Sequence, residues 1–150
     1  MAVEDDPAII GKVFDVTEAV PVTAEQIKQY CEAIGETNPL FTDEAAASEG
    51  PYGKLCAPPS FAATFRSRRG FWELMPRFGL GRGGFDAGKD MEFFRPIGVG
   101  DKITLSSQVK EIYEKTGRSG TMVFLVFRST LKNQDGEIVA HVDHRFMHRK

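Results

Sequence analysis

The second half of the chain consists almost entirely of strand patterns, and one of them constrains the fold most. In residues 121–131, apolar side chains occupy both alternating positions from Met122 to Phe127, which is typical of a central strand buried on both faces. The sequence Asn-Gln-Asp-Gly at 133–136 predicts a tight hairpin turn after this strand. Further strand patterns lie at 90–94, 101–114 and 137–147. We therefore expect an antiparallel sheet with short connections.

The first half of the chain predicts a short strand at 12–20, followed by a well-marked helix. Thr23 and Gln26 have the spacing of a capping box, in which each side chain accepts a hydrogen bond from the other residue's backbone N–H. Gly35 is the expected end of this helix. Its apolar stripe, at helical spacing, consists of Ile27, Tyr30, Cys31 and Ile34.

Two more helical segments precede the strands. A second, short helix, capped by Thr42 or Asp43, is predicted to contain three consecutive alanines. A buried helix is predicted over 59–70, where alanines at 62 and 63 allow a sheet to approach closely, and 71–84 is predicted to be an irregular loop. The order of elements predicts an α+β fold, in which a curled antiparallel sheet wraps around this central helix.

Length and composition exclude several classes of protein. The chain of 150 residues suits a single domain over 1–150, with 1–11 as an N-terminal arm. The formal net charge of −2 argues against a general nucleic-acid-binding protein, and no apolar run approaches the ~20 residues of a membrane span. The acidic start of the chain does not fit a signal peptide, and two cysteines are too few for a disulfide framework. We therefore expect a cytoplasmic protein.

The residue pattern predicts neither a metal site nor an organic cofactor. His141 and His144 are expected on opposite faces of the last strand, and His148 lies about 13 Å from His144 at ~3.3 Å per residue. Cys31 belongs to the apolar stripe of the first helix and is interpreted as a core residue. Cys56 precedes a predicted helix, but no histidine is near it in sequence, so nucleophilic catalysis is not favoured.

Five arginines lie close together between residues 66 and 82. They can be a solvated surface near a helix end, or an anchor for phosphate groups, since Arg binds phosphate through two parallel hydrogen bonds. Both interpretations remain open at this point. The cluster consists of Arg66, Arg68, Arg69, Arg77 and Arg82.

The turn after the first helix carries a resemblance to a known family. From Gly35 to Asp43 it reads Gly-Glu-Thr-Asn-Pro-Leu-Phe-Thr-Asp. This resembles Gly-Asp-x-Asn-Pro-Leu-His-x-Asp, the hydratase motif of the MaoC-like, R-specific enoyl-CoA hydratases, which have the hot-dog fold. With the segments below, the resemblance extends over about residues 10–148. The segments that resemble the FAS1-like dehydratase branch (N-terminal MaoC domain) are 57–61, 92–101 and 133–137.

Two departures from the family's pattern concern catalysis. In the family, the Asp and the His of the turn hold the water that is added to the enoyl double bond, and the corresponding residues here are Glu36 and Phe41. A phenylalanine neither accepts nor donates a proton, so Glu36 is the only candidate base. The family's oxyanion hole uses backbone N–H groups at the start of the central helix, where Pro58 and Pro59 lack that group.

The resemblance and its departures together imply a non-catalytic or weakly catalytic subunit of a (3R)-hydroxyacyl-thioester hydro-lyase. The implied ligand is an acyl thioester of CoA or of an acyl carrier protein, with a fatty, aromatic or steroid-like acyl group. The implied partner is a homologous hot-dog subunit with the Asp/His pair, or a second copy of the chain. Alternatives are a self-sufficient hydratase that uses Glu36, a hot-dog thioesterase, and a non-enzymatic thioester-binding module. Candidate substrate-binding residues are Asn38, Phe41, Ser60, Phe61, Arg66 and Arg68.

Overall fold

The computed structural model describes residues 9–67, 84–118 and 120–149, and its main feature is a six-stranded sheet. Its strand pairs are antiparallel, and the order across the sheet is β1-β4-β5-β6-β3, with β2 beside β4. The strands are β1 (Val13–Val16), β2 (Val20–Pro21), β3 (Phe85–Phe93), β4 (Lys102–Gly117), β5 (Gly120–Lys132) and β6 (Ile138–Arg149).

Strand β5 lies at the centre of the sheet, between β4 and β6. Val123, Leu125 and Val126 are at most 3% exposed, so both faces of β5 are covered, as the sequence predicts. The predicted hairpin turn joins β5 to β6. There Asn133 Oδ1 accepts hydrogen bonds from the backbone N–H groups of residues 135 and 137, at 3.1 and 3.0 Å, and Gly136 has a φ of 77°.

Helix α1 (Ala24–Ile34) begins and ends where the sequence predicts. Thr23 Oγ1 accepts from the backbone N–H of Gln26 at 3.2 Å, and Gln26 Oε1 accepts from that of Thr23 at 2.9 Å. Gly35 ends the helix with a φ of 70°, a left-handed conformation that glycine adopts without steric cost. Of the predicted stripe, Ile27 and Cys31 are buried and Tyr30 is half-buried, but Ile34 at its end is 48% exposed.

Two short helices follow α1, where the sequence predicts one. Helix α2 (Pro39–Thr42) begins after Asn38, whose side chain accepts the backbone N–H of Leu40 at 3.0 Å. Helix α3 (Glu44–Ser48) begins after Asp43, whose Oδ1 accepts the N–H groups of residues 45 and 46 at 2.8 and 3.1 Å. Asp43 is therefore the cap of the alanine-containing helix, one of the two caps that the sequence allows.

The predicted helix over 59–70 is shorter than expected. It is a 3-10 helix, Pro59–Thr64, after which Phe65 has an extended backbone. The Thr64 hydroxyl donates to the carbonyl of Phe61 at 2.7 Å, and this local hydrogen bond competes with continuation of the helix. Phe61 is 6% exposed and lies in the main core, so the segment still fills the space beside the sheet. Residues 68–70 of this prediction, and all but the last residue of the predicted loop 71–84, lie outside the described residues.

The strand boundaries differ from prediction in two places. The segment 12–20 forms two strands instead of one, because the Thr17 hydroxyl accepts the backbone N–H of Leu105 at 3.1 Å in place of a main-chain carbonyl. Strand β3 begins at Phe85, five residues before the predicted start. Its early part contains a register shift and Gly88 with a φ of 100°, which hide the alternation that identifies a strand.

The core has two parts. The larger one joins the helices to β4, β5 and β6, and the smaller one packs the N-terminal Ile9 against the other end of the sheet. In the predicted arm 1–11, Ile9 is 5% exposed and Ile10 pairs with Val109, while residues 1–8 lie outside the described part. Among the described helices, none is long and apolar enough to cross a membrane.

Candidate functional site

The turn between α1 and α2 is closed by its own side chains. Glu36 Oε1 accepts the backbone N–H groups of Thr37 and Asn38, both at 2.9 Å. Asn38 in turn accepts from Leu40, as described above for the start of α2. The two polar residues that the sequence singles out thus accept hydrogen bonds from the backbone of the turn, whose N–H groups at residues 37 and 38 precede α2 and bond to a side chain instead of a main-chain carbonyl.

Phe41, which the sequence resemblance compares with the family's histidine, packs inward. Its ring is half-buried against the main core, and its carbonyl oxygen accepts a hydrogen bond from the Cys31 Sγ at 3.4 Å. Cys31 is 2% exposed, and burial, with a smaller contribution from the charge of Glu36, raises the pKa of its thiol. A protonated thiol that supports the backbone of Phe41 is a structural group, as the sequence predicts for Cys31.

Phe41 lines two small cavities. One, of about 270 Å³, is lined mostly by aromatic and proline side chains. The other, of about 350 Å³, has an acidic rim formed by glutamates of α1, the following turn and α3, among them Glu36. Residues around the first cavity include Leu40, Tyr52, Cys56, Pro58, Pro59 and Phe94.

A third and much larger cavity, of about 960 Å³, lies between β1, β2, α1 and the 3-10 helix. Tyr30, Phe61 and Phe65 form its aromatic wall, with edge-to-face ring centroids 5.3 and 5.7 Å apart. Leu105 of β4 also lines it, and the exposed Arg66 stands at its border. This cavity is in the size range of small-molecule binding sites, about 300–1,000 Å³.

The start of the 3-10 helix lies between the aromatic cavities. Pro59 lines the 270 Å³ cavity and Phe61 lines the 960 Å³ cavity, so Ser60 stands between them in the chain. The Tyr30 phenol donates a hydrogen bond to Ser60 Oγ at 3.0 Å. The backbone N–H of Ala57 is bound to the carbonyl of Ile97 at 2.8 Å. Neither proline has an N–H, so main-chain donors are scarce at this point.

The structure brings together only some of the predicted site residues. Phe41 borders the smaller cavities, while Phe61 and Arg66 border the large one. Asn38 is exposed and serves the turn, without lining any of these three cavities. Arg68 lies outside the described residues, as do Arg69, Arg77 and Arg82.

Tyr30 is the residue that sequence reasoning missed. The sequence places it in the apolar stripe of α1, and its hydroxyl contact with Ser60 spans 30 positions along the chain. The sequence feature that could have identified it is a tyrosine in an otherwise non-aromatic stripe, because a half-buried phenol needs a hydrogen-bond partner.

The histidines belong to separate structural contacts. His141 Nδ1 lies 3.1 Å from the Thr130 hydroxyl, and His144 Nε2 lies 2.9 Å from Asp86 Oδ2. The pKa of Asp86 falls to about 2, chiefly because its carboxylate accepts the backbone N–H of Gly88. Over residues 9–67, 84–118 and 120–149, no group of three or more His, Cys, Asp or Glu side chains is arranged to hold a metal ion.

Comparison with known proteins places this geometry in a family. The family model for the FAS1-like, dehydratase domain region matches residues 8–142. A UPF0336 protein from Streptomyces avermitilis is 31% identical over 115 residues, covering 75% of this chain and 76% of that protein. A probable enoyl-CoA hydratase alpha subunit from Thermomonospora curvata is 32% identical over 135 residues, covering 80% of this chain and 42% of that protein.

Solved structures agree with the fold. The C-terminally truncated HadBC complex from Mycobacterium tuberculosis, a (3R)-hydroxyacyl-ACP dehydratase, superimposes with a TM-score of 0.74 at 24% identity, covering 93% of this chain and 97% of that chain. A curled antiparallel sheet with few helices, shared with these proteins, is the hot-dog fold of MaoC-like dehydratases. The chain belongs to the FAS1-like dehydratase region family.

Proposed function

We propose that this chain is the acyl-thioester-binding subunit of an enoyl-thioester hydratase, or 3-hydroxyacyl dehydratase, whose catalytic Asp/His pair is supplied by a partner subunit. The proposal rests on the side chains of the motif turn, residues 35–43. Phe41 stands where the family has its histidine, and the Glu36 carboxylate accepts two N–H groups of its own turn. Neither side chain is arranged to activate water.

Loss of the family's Asp/His pair and oxyanion donors is expected to lower the hydration rate strongly. General acid–base help is worth about 10²–10⁴-fold in rate, and each oxyanion donor about 10²–10³-fold. Pro58 and Pro59 withhold main-chain N–H groups where the family's resemblance implies oxyanion donors. A chain that lacks both contributions is expected to hydrate a thioester poorly on its own.

The large cavity supports a binding role. Its aromatic wall of Tyr30, Phe61 and Phe65 offers an apolar surface to a fatty, aromatic or steroid-like acyl group. Arg66 at its border is the described member of the arginine cluster that we propose to contact the phosphates of CoA or of a carrier protein, together with Arg68. Ser60, Phe61 and Phe41 complete the proposed binding set, together with Asn38, which holds the turn that carries Phe41.

A partner subunit is supported by the relatives and by the sheet. HadBC is named as a complex, and the Thermomonospora curvata relative is named as an alpha subunit. In the described part of the chain, β3 lies at one edge of the sheet and pairs with β6 alone. An open edge favours pairing with another chain, and we propose a homologous hot-dog subunit at this position, in the cytoplasm.

The experiment is a hydration assay with trans-2-decenoyl-CoA, in which the reaction is monitored through the loss of the enoyl absorbance. We expect the chain alone to bind this ligand with little turnover, and the complex with a hot-dog subunit that carries the Asp/His pair to hydrate it. Glu36→Gln in that complex is expected to leave turnover nearly unchanged.

Each alternative gives a different result in the same assay. Turnover by the chain alone, abolished by Glu36→Gln, indicates a self-sufficient hydratase, and release of free thiol indicates a thioesterase. Binding without turnover in any complex indicates a stand-alone binding module. Each of these three outcomes contradicts the proposed function.

A further inference from the structure

The hydroxyl pair formed by Tyr30 and Ser60 has one proton with no acceptor among the described residues. A serine hydroxyl has one donor and two acceptor positions. The Tyr30 phenol donates to Ser60 Oγ at 3.0 Å and so fills one acceptor position. Within the part of the chain that the structure describes, the Ser60 hydroxyl makes no second hydrogen bond, so its own proton is available to a ligand.

The pair also has a defined orientation. Tyr30 is fixed on α1, whose start is held by the capping box, and its ring meets that of Phe61 edge to face at 5.3 Å and 83°. Phe61 is in turn packed on Phe65. The phenol therefore has little freedom to turn away from Ser60, which is itself only partly exposed.

Ser60 lies in the chain between two residues that line different cavities. Its chain neighbour Pro59 lines the 270 Å³ cavity, and its other neighbour Phe61 lines the 960 Å³ cavity together with Tyr30. A ligand that occupies the large cavity and extends toward the small one is expected to meet this hydroxyl, because Ser60 lies between their lining residues in the chain. Pro58 and Pro59 supply no N–H there, and the Ser60 hydroxyl is a side-chain donor at this point.

We infer that the Ser60 hydroxyl, polarised and positioned by the Tyr30 phenol, donates a hydrogen bond to the carbonyl oxygen of the bound thioester. Ser60 is then a substrate-binding residue and Tyr30 a positioning residue. The inference rests on the proposed function, since it names the group by which the chain recognises a thioester carbonyl. A donor of this kind replaces the main-chain donors that the two prolines remove.

The test compares decanoyl-CoA with S-decyl-CoA, the thioether in which a methylene replaces the carbonyl. Both are saturated at the reacting carbons, so neither is hydrated. For the unmodified full-length chain, we expect the thioester to bind about two- to tenfold more tightly than the thioether, the ratio that one hydrogen bond provides. Ser60→Ala is expected to bring this ratio close to one, Tyr30→Phe to reduce it in part, and Ser60→Thr to keep it.

A spectroscopic readout separates a hydrogen bond from a loss of packing. The infrared stretch of a carbonyl-labelled decanoyl thioester is expected at lower frequency on the unmodified protein than on Ser60→Ala. Ser48→Ala, which removes a hydroxyl bound to the Ala45 carbonyl on α3, is the matched control and is expected to change neither the ratio nor the frequency.

The outcomes distinguish this inference from the proposed function. If the unmodified chain binds neither CoA compound, the proposed function is wrong and this inference with it. If it binds both with equal affinity, or if Ser60→Ala leaves the ratio and the carbonyl frequency unchanged, the inference is overturned while thioester binding stands.

Discussion

Asp143 connects three neighbouring strands through one carboxylate, and its removal is the sharpest test of the sheet. Its side chain is 9% exposed and lies on β6. Arg128 on β5 donates to both carboxylate oxygens, at 2.7 and 2.9 Å, and Lys110 on β4 donates at 2.6 Å. Asp143→Asn keeps the shape and removes the charge, which leaves two cationic side chains without their counter-charge.

The expected loss follows from the exposure of the partners. Breaking a fully buried ion pair costs about 3–5 kcal/mol, because an unpaired charge remains in the interior. The Arg128 and Lys110 side chains are 26% and 40% exposed, so water takes over part of their solvation. We therefore expect Asp143→Asn to lower the free energy of unfolding by about 2–3 kcal/mol at neutral pH.

The pH dependence has a definite sign. Burial opposes ionisation of Asp143, but the hydrogen bonds from Arg128 and Lys110 outweigh it, and the pKa of Asp143 lies below its ordinary value. A carboxyl whose pKa is lower in the folded state stabilises the fold above the pKa of the unfolded chain, about 3.9. The difference between the unmodified chain and Asp143→Asn is thus constant at neutral pH and shrinks as the pH falls below about 4.

Urea unfolding monitored by circular dichroism, at one fixed protein concentration, measures this difference. The matched control is Asp90→Asn. Asp90 on β3 lies directly opposite Asp143 on β6 and forms an ion pair with Arg145, but its side chain is 65% exposed. We expect that variant to lose less than about 1 kcal/mol. Equal losses in the two variants at neutral pH refute the reasoning from burial.

Two other predictions concern α1 and the thiols. Thr23→Ala removes one side of the capping box and is expected to lower the free energy of unfolding by about 1 kcal/mol, seen as a lower thermal midpoint; an unchanged midpoint contradicts the role of the cap. Cys31 and Cys56 are 2% and 0% exposed, and burial raises the pKa of both thiols, so a thiol reagent at neutral pH is expected to modify them only in urea. Fast modification of Cys56 in the folded chain is the contrary result.

Local patterns in the sequence predict the elements well, because they reflect local physics. The apolar run in β5, the capping box at Thr23 and the turn at 133–136 each involve contacts within a few residues or a periodicity along one strand. The early part of β3 was not predicted, because a register shift and a left-handed glycine interrupt its alternation. The 3-10 helix is shorter than the sequence predicts, and the hydrogen bond from the Thr64 hydroxyl to the Phe61 carbonyl competes with its continuation.

The sequence predicts which residue types belong to the site, but it does not predict how their side chains are arranged. The motif turn identifies Glu36 and Phe41, but only the fold shows the Glu36 carboxylate engaged with its own backbone. The contact between Tyr30 and Ser60 joins two elements 30 residues apart, and the periodicity of a helix or strand cannot predict a contact between separate elements. The large cavity likewise combines residues 15–30 with residues of the 3-10 helix and of β4, which are far from them in sequence.

The most direct test of the central claim is the rate of trans-2-decenoyl-CoA hydration by three preparations: the chain alone, its complex with a hot-dog subunit that carries the Asp/His pair, and the same complex with Glu36→Gln. The account predicts negligible hydration by the chain alone and equal rates for the two complexes, since the Glu36 carboxylate serves the turn and Phe41 transfers no proton. Hydration by the chain alone, together with its loss in Glu36→Gln, contradicts the account.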